Sequence, residues 1–381
     1  MSLFGKKEER YIGVDVGAGG MKIVELLFEN GHYKLMTYGS TSRNADVVAT
    51  SLTENPEVAV KHLKELVKEA GVEGKDVIAS LPVHSVFSSI IAIPKVKDEL
   101  ETRSLVRRQA EKLLPLPLAE MIIDYQLIDD KNIKDSGDKG SAAKEEKTLV
   151  AEKNEATGRA DENVRVMITG AQKTMVSTYT KIFQNAGLDL MSLETEPFAL
   201  IRSMIGDDKS PIMILDLGAF RTNMTIVENG IPFINRSIKV GGGSVTQAIA
   251  NQMSISIEEA EQVKYDLHAS GSAIPKAVVD LFQPIVHEVN YAMEVFVKSE
   301  ISKNQHVEKV ILTGGSALLP GLDQFLTEQL NVRTFVGDPW ARVKVNPALR
   351  PVLDELGPRF AVAIGLAMHS KKKAVKEKIK K

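Results

Sequence analysis

The chain has 381 residues, 43% hydrophobic and 26% charged, with a formal net charge of −2. That length holds two or more domains with cores of their own, and the near balance of charge gives nucleic-acid binding no footprint. Cysteine is absent, which excludes disulfides and thiolate metal sites, and the seven histidines are scattered without metal-ligand spacing. The opening MSLFGKKEERYIGVD lacks the apolar run of a secretory signal. No stretch reaches the roughly 18 uninterrupted apolar residues of a membrane span. The sequence therefore predicts a soluble, cytoplasmic protein without direct membrane insertion.

From Tyr11 to Met36 the pattern is strand, glycine turn, strand, Asn30-Gly31 turn, strand, which predicts a β-meander. PEVAVKHLKELVKEAG follows as an amphipathic helix closed by Gly71. DVIASLPVHSVFSSIIAIP gives strands punctuated by Pro82 and Pro94, and ELETRSLVRRQAEKLLPLPLAEM a helix stopped by Pro115 and Pro117. MIIDYQLI returns as a strand. Residues 131–163 are charged and lack aromatics, too poor in apolar surface to fold, and are expected as a disordered loop. VRVMITGAQ then resumes the sheet, and KTMVSTYTKIFQNAGLDL is an amphipathic helix ended by Gly187.

Near Pro211 the chain begins to repeat itself. PIMILDLGAFRTNMTIVENGIPFINRSI again gives strand, turn, strand, Asn-Gly turn (Asn229-Gly230), strand. Asp15-Val-Gly17-Ala18 aligns with Asp216-Leu-Gly218-Ala219. Ile23-Val24-Glu25 aligns with Ile226-Val227-Glu228 if two residues are added between. Copies about 200 residues apart are too distant for a solenoid and suggest two related domains facing across a cleft.

A glycine turn lets backbone N–H groups approach phosphate oxygens without Cβ obstruction. An Asp at each strand end can hold Mg2+, usually through its waters, and Lys22 would neutralise phosphate charge. One Asp-x-Gly is weak, because both residues are generic to turns; a matched pair carries more weight. VEKVILTGGSALLPGLDQFL reads as strand, Gly314-Gly315 turn and helix start at Ser316, either a nucleoside-binding turn or an ordinary strand-to-helix loop. KVGGGSVTQAIANQ is another glycine turn entering a helix. In SIEEAEQVKYDL, Glu261 and Lys264 share a helical face, as ribose ligands or as a solvated ion pair.

Asp15-x-Gly17, Asp216-x-Gly218 and Thr313-Gly314-Gly315 have the order and spacing of the actin, heat-shock chaperone and sugar-kinase ATPase fold. Within it the phrases "AEKLLPLPLAEMIIDYQLI", "LETEPFALIRSM", "RSIKVGGGSVTQAIANQMSISIEEAEQVK" and "LTGGSALLPGLDQFLTEQLNV", followed by "GDPWARVKV", narrow the match. Over nearly its whole length the chain resembles the PilM family of type IV pilus assembly proteins, actin-like and related to the division protein FtsA. The resemblance implies an α/β, actin-like (ribonuclease H-like) two-lobed ATPase fold with a small α+β subdomain inserted in the first lobe. On that reading 1–10 is a tail, 11–82 the start of the first lobe, 83–171 the insert carrying the 131–163 loop, and 172–210 the first lobe continued. Residues 211–340 form the second lobe, 341–370 return to the first, and 371–381 are a basic tail.

Matched by motif, Asp15, Gly17, Ala18, Gly19, Gly20, Lys22, Asp216, Gly218, Arg221 and Thr222 would surround the phosphates of ATP and a Mg2+ held by Asp15 and Asp216. Gly241, Gly242, Glu261, Lys264, Gly314, Gly315 and Ser316 would surround the nucleoside, and Glu196 lies where relatives orient an attacking water. The first turn departs from the family in carrying Ala18, Gly19 and Gly20 in place of small hydroxyl residues, which implies slow hydrolysis or none. In the second turn Phe220 and Arg221 replace small residues, with Arg221 either on phosphate or facing water.

The implied role is a cytoplasmic scaffold, peripheral at the inner membrane, that grips the cytoplasmic N-terminal peptide of PilN and meets other inner-membrane and motor components. The family's peptide groove lies between the first lobe's core and the insert, and Leu116 and Leu118 are candidates for it or for core packing. Two alternatives stay open, an FtsA-like filament protein and, with no distinct base motif, a sugar-kinase-type phosphotransferase. Self-association also stays open. HSKKKAVKEKIKK offers too little apolar surface for stable anchoring, though its lysines would be drawn to anionic lipid.

Overall fold

The computed structural model describes residues 9–41, 55–128, 163–270, 276–299, 302 and 306–369. The expected tail 371–381 and nearly all of the expected loop lie outside the described residues. Two boundaries move: the first strand already opens at Glu9, and Asn163 begins a strand where a loop was expected.

β1 (Glu9–Gly17), β2 (Gly20–Glu29) and β3 (His32–Ser40) form the expected meander. Its Asn30-Gly31 turn has φ of 50° and 83°, the paired positive values that match the right-handed twist of a hairpin. After α1 (Pro56–Ala70), capped by left-handed Gly71, β4 (Asp76–Leu81) runs parallel to β1. A short turn, Val83–Ser85, leads into β5 (Val86–Pro94).

Phe87–Gln172 is a compact unit of its own. β7 (Asn163–Gln172) lies between β5 and β6 (Met121–Ile128), and α2 (Glu99–Leu113) packs on this sheet through Val106 and Ala110 against Ile93, Val166 and Ile168. Asp98 caps α2 by accepting the Leu100 N–H at 2.9 Å, and the helix stops two residues short of Pro115. Leu116 and Leu118 are part-buried.

The rest of the chain forms the larger unit. α3 (Lys173–Ala186) leads to β8 (Asp189–Thr195), parallel to β4, then to α4 (Glu196–Leu200) and a single π turn over Ile201–Ile205. A second meander follows, β9 (Ile212–Leu217), β10 (Thr222–Glu228) and β11 (Ile231–Ile238), with Asn229-Gly230 at φ 53° and 74°. After α5 (Gly242–Met253), α6 (Ile257–Ser270), α7 (Lys276–Leu281) and α8 (Gln283–Val297), β12 (Lys309–Thr313) pairs parallel with β9. α9 (Leu322–Leu330), β13 (Thr334–Val336), β14 (Val343–Lys344) and α10 (Arg350–Ala367) complete it.

Two sheets result, β14-β3-β2-β1-β4-β8 and β11-β10-β9-β12-β13. Each is an antiparallel meander extended by parallel strands, so the repeat in the sequence is a repeat in the fold. α10 lies on the first sheet, joining Phe360 and Ile364 to Val24, Leu26 and Trp340. α5, α7 and α8 cover the second with Val245, Val278 and Val289. A further cluster joins the lobes, bringing Ile78 and Leu200 against Ile214 and Ile311; each side chain fully buried there contributes about 1.5–3 kcal/mol. No helix among the described residues is long and apolar enough to cross a membrane.

Register corrects the alignment of the two copies. Asp15 pairs with Lys22, and Asp216 with Asn223, so both glycine turns span the same number of residues. The two-residue difference lies further on, in the strand before the Asn-Gly turn, and Ile23 corresponds to Met224 rather than Ile226.

Candidate functional site

A cavity of about 750 Å3 opens between the two meanders of the larger unit, within the range of roughly 300–1,000 Å3 typical of small-molecule sites. On one side stands the β1–β2 turn. Asp15 is 6% exposed and accepts the Ser80 hydroxyl at 3.0 Å from β4. Lys22, directly across the ladder, brings Nζ to 3.6 Å from Asp15 Oδ2 and donates to the Gly20 carbonyl at 3.1 Å. The turn itself has no hydroxyl, but Ser40 and Thr41 at the end of β3 line the same wall, and Thr41 Oγ1 accepts the Met21 N–H at 2.9 Å.

The β9–β10 turn faces it. Asp216 here has Asn223 across the ladder, with no lysine at that place. Burial, and then the charge of Asp15, push the Asp216 carboxyl up to about 6, against the pull of Lys22 and the Asn223 hydrogen bond. Arg221 lines the cavity but donates from Nε to Ser237 Oγ at 2.9 Å, and that hydroxyl donates on to Asn223 Oδ1 at 2.7 Å.

Glu196, the first residue of α4, forms the floor. Its Oε2 accepts the Val83 N–H at 3.2 Å and Asn223 Nδ2 at 3.3 Å. Burial, then the charges of Asp15 and Asp216, hold this carboxyl well above the usual carboxylate range. Tyr179 of α3 closes the wall beside it, its phenol raised by burial and by the charges of Glu196 and Asp15. Desolvation favours the neutral form of each of these raised acids, Glu196, Asp216 and Tyr179.

The Thr313-Gly314-Gly315 turn leaves β12 directly beside Asp216. Gly314 adopts φ +85°, and a Cβ there would lie 2.5 Å from Asp216 Oδ1 and 2.6 Å from the Leu217 carbonyl. Only glycine fits. Pro358, inside α10, has a carbonyl that accepts both the Gly314 N–H at 2.9 Å and Thr313 Oγ1 at 3.0 Å. Lys264 Nζ bonds Glu261 Oε2 at 2.6 Å and Thr246 Oγ1 at 2.8 Å, with the Gly242 carbonyl at 3.3 Å. The pair is thus both an ion pair and part of the cavity wall.

Asp15, Gly17, Ala18, Gly19, Gly20, Lys22, Glu196, Asp216, Gly218, Arg221, Glu261, Lys264, Gly314, Gly315 and Ser316 all border the cavity. Thr222, Gly241 and Gly242 are not among its lining residues. Thr222 is fully buried and gives its hydroxyl to the Val240 carbonyl at 2.7 Å. Strand alternation turns it away from the face that Asp216 and Asn223 share. Gly241 supports the second turn from behind, where a Cβ would meet the Gly218 carbonyl at 2.7 Å. The Gly242 N–H donates to that same carbonyl at 2.9 Å. The lining residues Tyr179, Asn223, Tyr265, Glu355 and Arg359 went unnoticed in the sequence. Of these only Asn223 left a signal, its place two strand positions from a repeated Asp-x-Gly turn by register.

Among the described residues no group of three or more His, Cys, Asp or Glu side chains is arranged to hold a metal directly. Asp15 and Asp216 nevertheless present a donor set suited to a hard cation that keeps its waters.

The sequence profile described as type IV pilus assembly protein PilM matches residues 13–153 and 150–371. The cell division protein FtsA of Enterococcus hirae is 22% identical over 363 residues, covering 87% of this chain and 79% of its own. FtsA of Streptococcus pneumoniae is 22% identical over 377 residues, covering 91% and 79%. The solved PilM–PilN type IV pilus biogenesis complex superimposes with a TM-score of 0.75 at 25% identity, covering 94% of this chain and 97% of that one. With its two actin-like lobes, its repeated Asp-x-Gly turns and a profile match running through both, the chain belongs to the type IV pilus assembly protein PilM family.

Proposed function

We propose that this protein is an ATP-binding scaffold of type IV pilus assembly, and that its partner is the cytoplasmic N-terminal peptide of a PilN-type inner-membrane protein. The observation that carries the nucleotide half is the pair of Asp-x-Gly turns facing each other across one cavity, with the Gly314 turn beside the second. The partner half is supported by the likeness to the PilM–PilN complex. Mg2+ would be held by Asp15 and Asp216 through its waters and would neutralise phosphate charge. These residues fit that role, because a cation would offset the burial and the Asp15 charge that together raise the Asp216 carboxyl.

Within the cleft Lys22 would meet phosphate oxygens, backbone N–H groups of both turns would cradle them, and Glu261 and Lys264 would border the sugar. Glu196, its carboxyl raised by burial and then by the charges of Asp15 and Asp216, borders the same cavity, and the absence of a hydroxyl in the first turn favours a nucleotide that is held over one that is turned over. Localisation at the inner membrane would then come from the partner.

A calorimetric titration tests the reading. The probe is a synthetic peptide of the cytoplasmic N-terminus of the adjacently encoded single-pass membrane protein, with and without MgATP. Saturable one-to-one binding is expected, and a difference between the two conditions gives the coupling between sites. No binding of peptide to folded protein in either condition would refute the scaffold role and favour the FtsA-like filament reading.

A further inference from the structure

The two lobes are tied at opposite ends of the cavity in different ways. At the floor the Asn223–Glu196 hydrogen bond runs from β10 to α4, backed by the apolar cluster in which Leu200 and Ile78 meet Ile214. At the rim there is a different link. Tyr265 of α6 donates its hydroxyl to Glu355 Oε1 of α10 at 2.5 Å.

Both residues border the cavity, and Tyr265 is 52% exposed, so the contact stands at the mouth. α6 is anchored in the second lobe, with Ala260 in its core and Val263 and Leu267 packed against it. α10 is anchored in the first through Leu353 and Phe360. The bond therefore joins α6, whose core lies in the second lobe, to the N-terminal part of α10, whose later residues Ala361, Val362 and Leu366 pack in the cluster the lobes share. No apolar side chain of either core is needed to make it, and none must be uncovered to break it. The buried floor is costly to open; the rim is cheap.

We propose that the Tyr265–Glu355 hydrogen bond is a clasp over a nucleoside triphosphate held in this cleft, and that its opening sets how fast that ligand leaves. The inference rests on the nucleotide reading above and adds which residues govern residence time. Lobes tied at the floor, and by the Pro358 carbonyl to the Thr313-Gly314 turn, open most easily at the rim, so a ligand with its phosphates between the two turns leaves when that bond breaks. Neither side chain needs to touch the phosphates. Their action is on the exit route, and they are positioning residues.

The test uses the full chain, MgCl2 and ATP carrying an N-methylanthraniloyl fluorophore, with release timed in a stopped-flow instrument after addition of excess unlabelled ATP. Tyr265→Phe and Glu355→Ala should each speed release by roughly 3- to 10-fold, the loss expected for one partly exposed hydrogen bond. Association rate and melting temperature of the ligand-free protein should hold, since a merely structural role would move the latter. The double variant should release no faster than either single one, because both remove the same interaction. Release unchanged in both single variants, or fully additive in the double, overturns the clasp while leaving the nucleotide reading intact. Wild-type protein that takes up no labelled ATP overturns the nucleotide reading, and the clasp falls with it.

Discussion

The two glycine hairpins have the same turn length and the same aspartate, yet they solve the problem of that aspartate differently. Asp15 has its own cation across the ladder, Lys22, and a hydroxyl from Ser80. Asp216 has only an amide across from it, and that amide is shared with Glu196. The first turn is open at Gly17, where a Cβ would find nothing closer than 3.4 Å, and tight only at Gly20, where it would meet Thr41 Oγ1 at 2.9 Å. The second is enclosed, with Gly241 behind it and Gly314 beside its aspartate. The two halves are thus similar but not equal: one aspartate has its own cation, and the other is packed and short of positive charge. The second half is the one whose electrostatics a bound cation would complete.

The contrast can be broken most sharply by adding a Cβ beside each aspartate. Gly314→Ala should cost about 2–5 kcal/mol, combining a left-handed backbone with overpacking against Asp216, whereas Gly17→Ala should cost under about 1 kcal/mol. Urea unfolding of the two variants compares them directly, and similar losses would mean that the turns are equally packed. Charge is the next lever. The Asp216 carboxyl titrates near 6 when folded and at 3.8 by its ordinary value. A folded value above the unfolded one makes its contribution most favourable below about pH 4, and the contribution is lost as pH rises through about 6. Asp216→Asn, which mimics the protonated form, should therefore stabilise the ligand-free protein at pH 8 by up to about 3 kcal/mol and leave it nearly unchanged at pH 4. Melting curves across that range check the sign; a loss of stability at pH 8 would contradict it.

Lys22→Met should weaken MgATP binding on the order of 10²-fold, the worth of a charge-assisted contact, while Asn223→Ala should weaken it by about tenfold or less. Equal losses in calorimetry would erase the asymmetry between the halves. The smallest effect is expected at Ser80→Ala, about 1 kcal/mol for the hydroxyl on Asp15, read from the midpoint of denaturant unfolding.

Much of this was legible in the chain because turn chemistry is local. Asn30-Gly31 and Asn229-Gly230 announce their hairpins, and Asp-x-Gly occurs at the end of a strand twice. What was illegible came from distance or from a conflict between local and tertiary rules. Tyr179 and Glu355 are ordinary residues of two helices until the fold brings them to one cavity. Thr222 lies one step past the turn, but alternation along β10 puts Asn223 rather than Thr222 on the cavity wall. Pro358 reads as a helix breaker, yet it lies inside α10, and the carbonyl there is taken by the Gly314 turn. Glu261 and Lys264 posed a false choice, since a pair that holds itself in place can still form a wall.

The partnership between β3 and α10 has a consequence for how the molecule is made. The Tyr33 hydroxyl bonds the Met368 carbonyl, 335 residues further along, and Val24 and Leu26 are covered by Trp340 and Phe360. At translation rates of about 5–20 residues per second, the opening meander would wait on the order of 20–60 seconds for the helix that covers it. The second lobe, whose sheet and covering helices all fall within 212–336, has no such delay. The nascent chain should acquire protease resistance there first, with the half that begins synthesis being the half that finishes folding last.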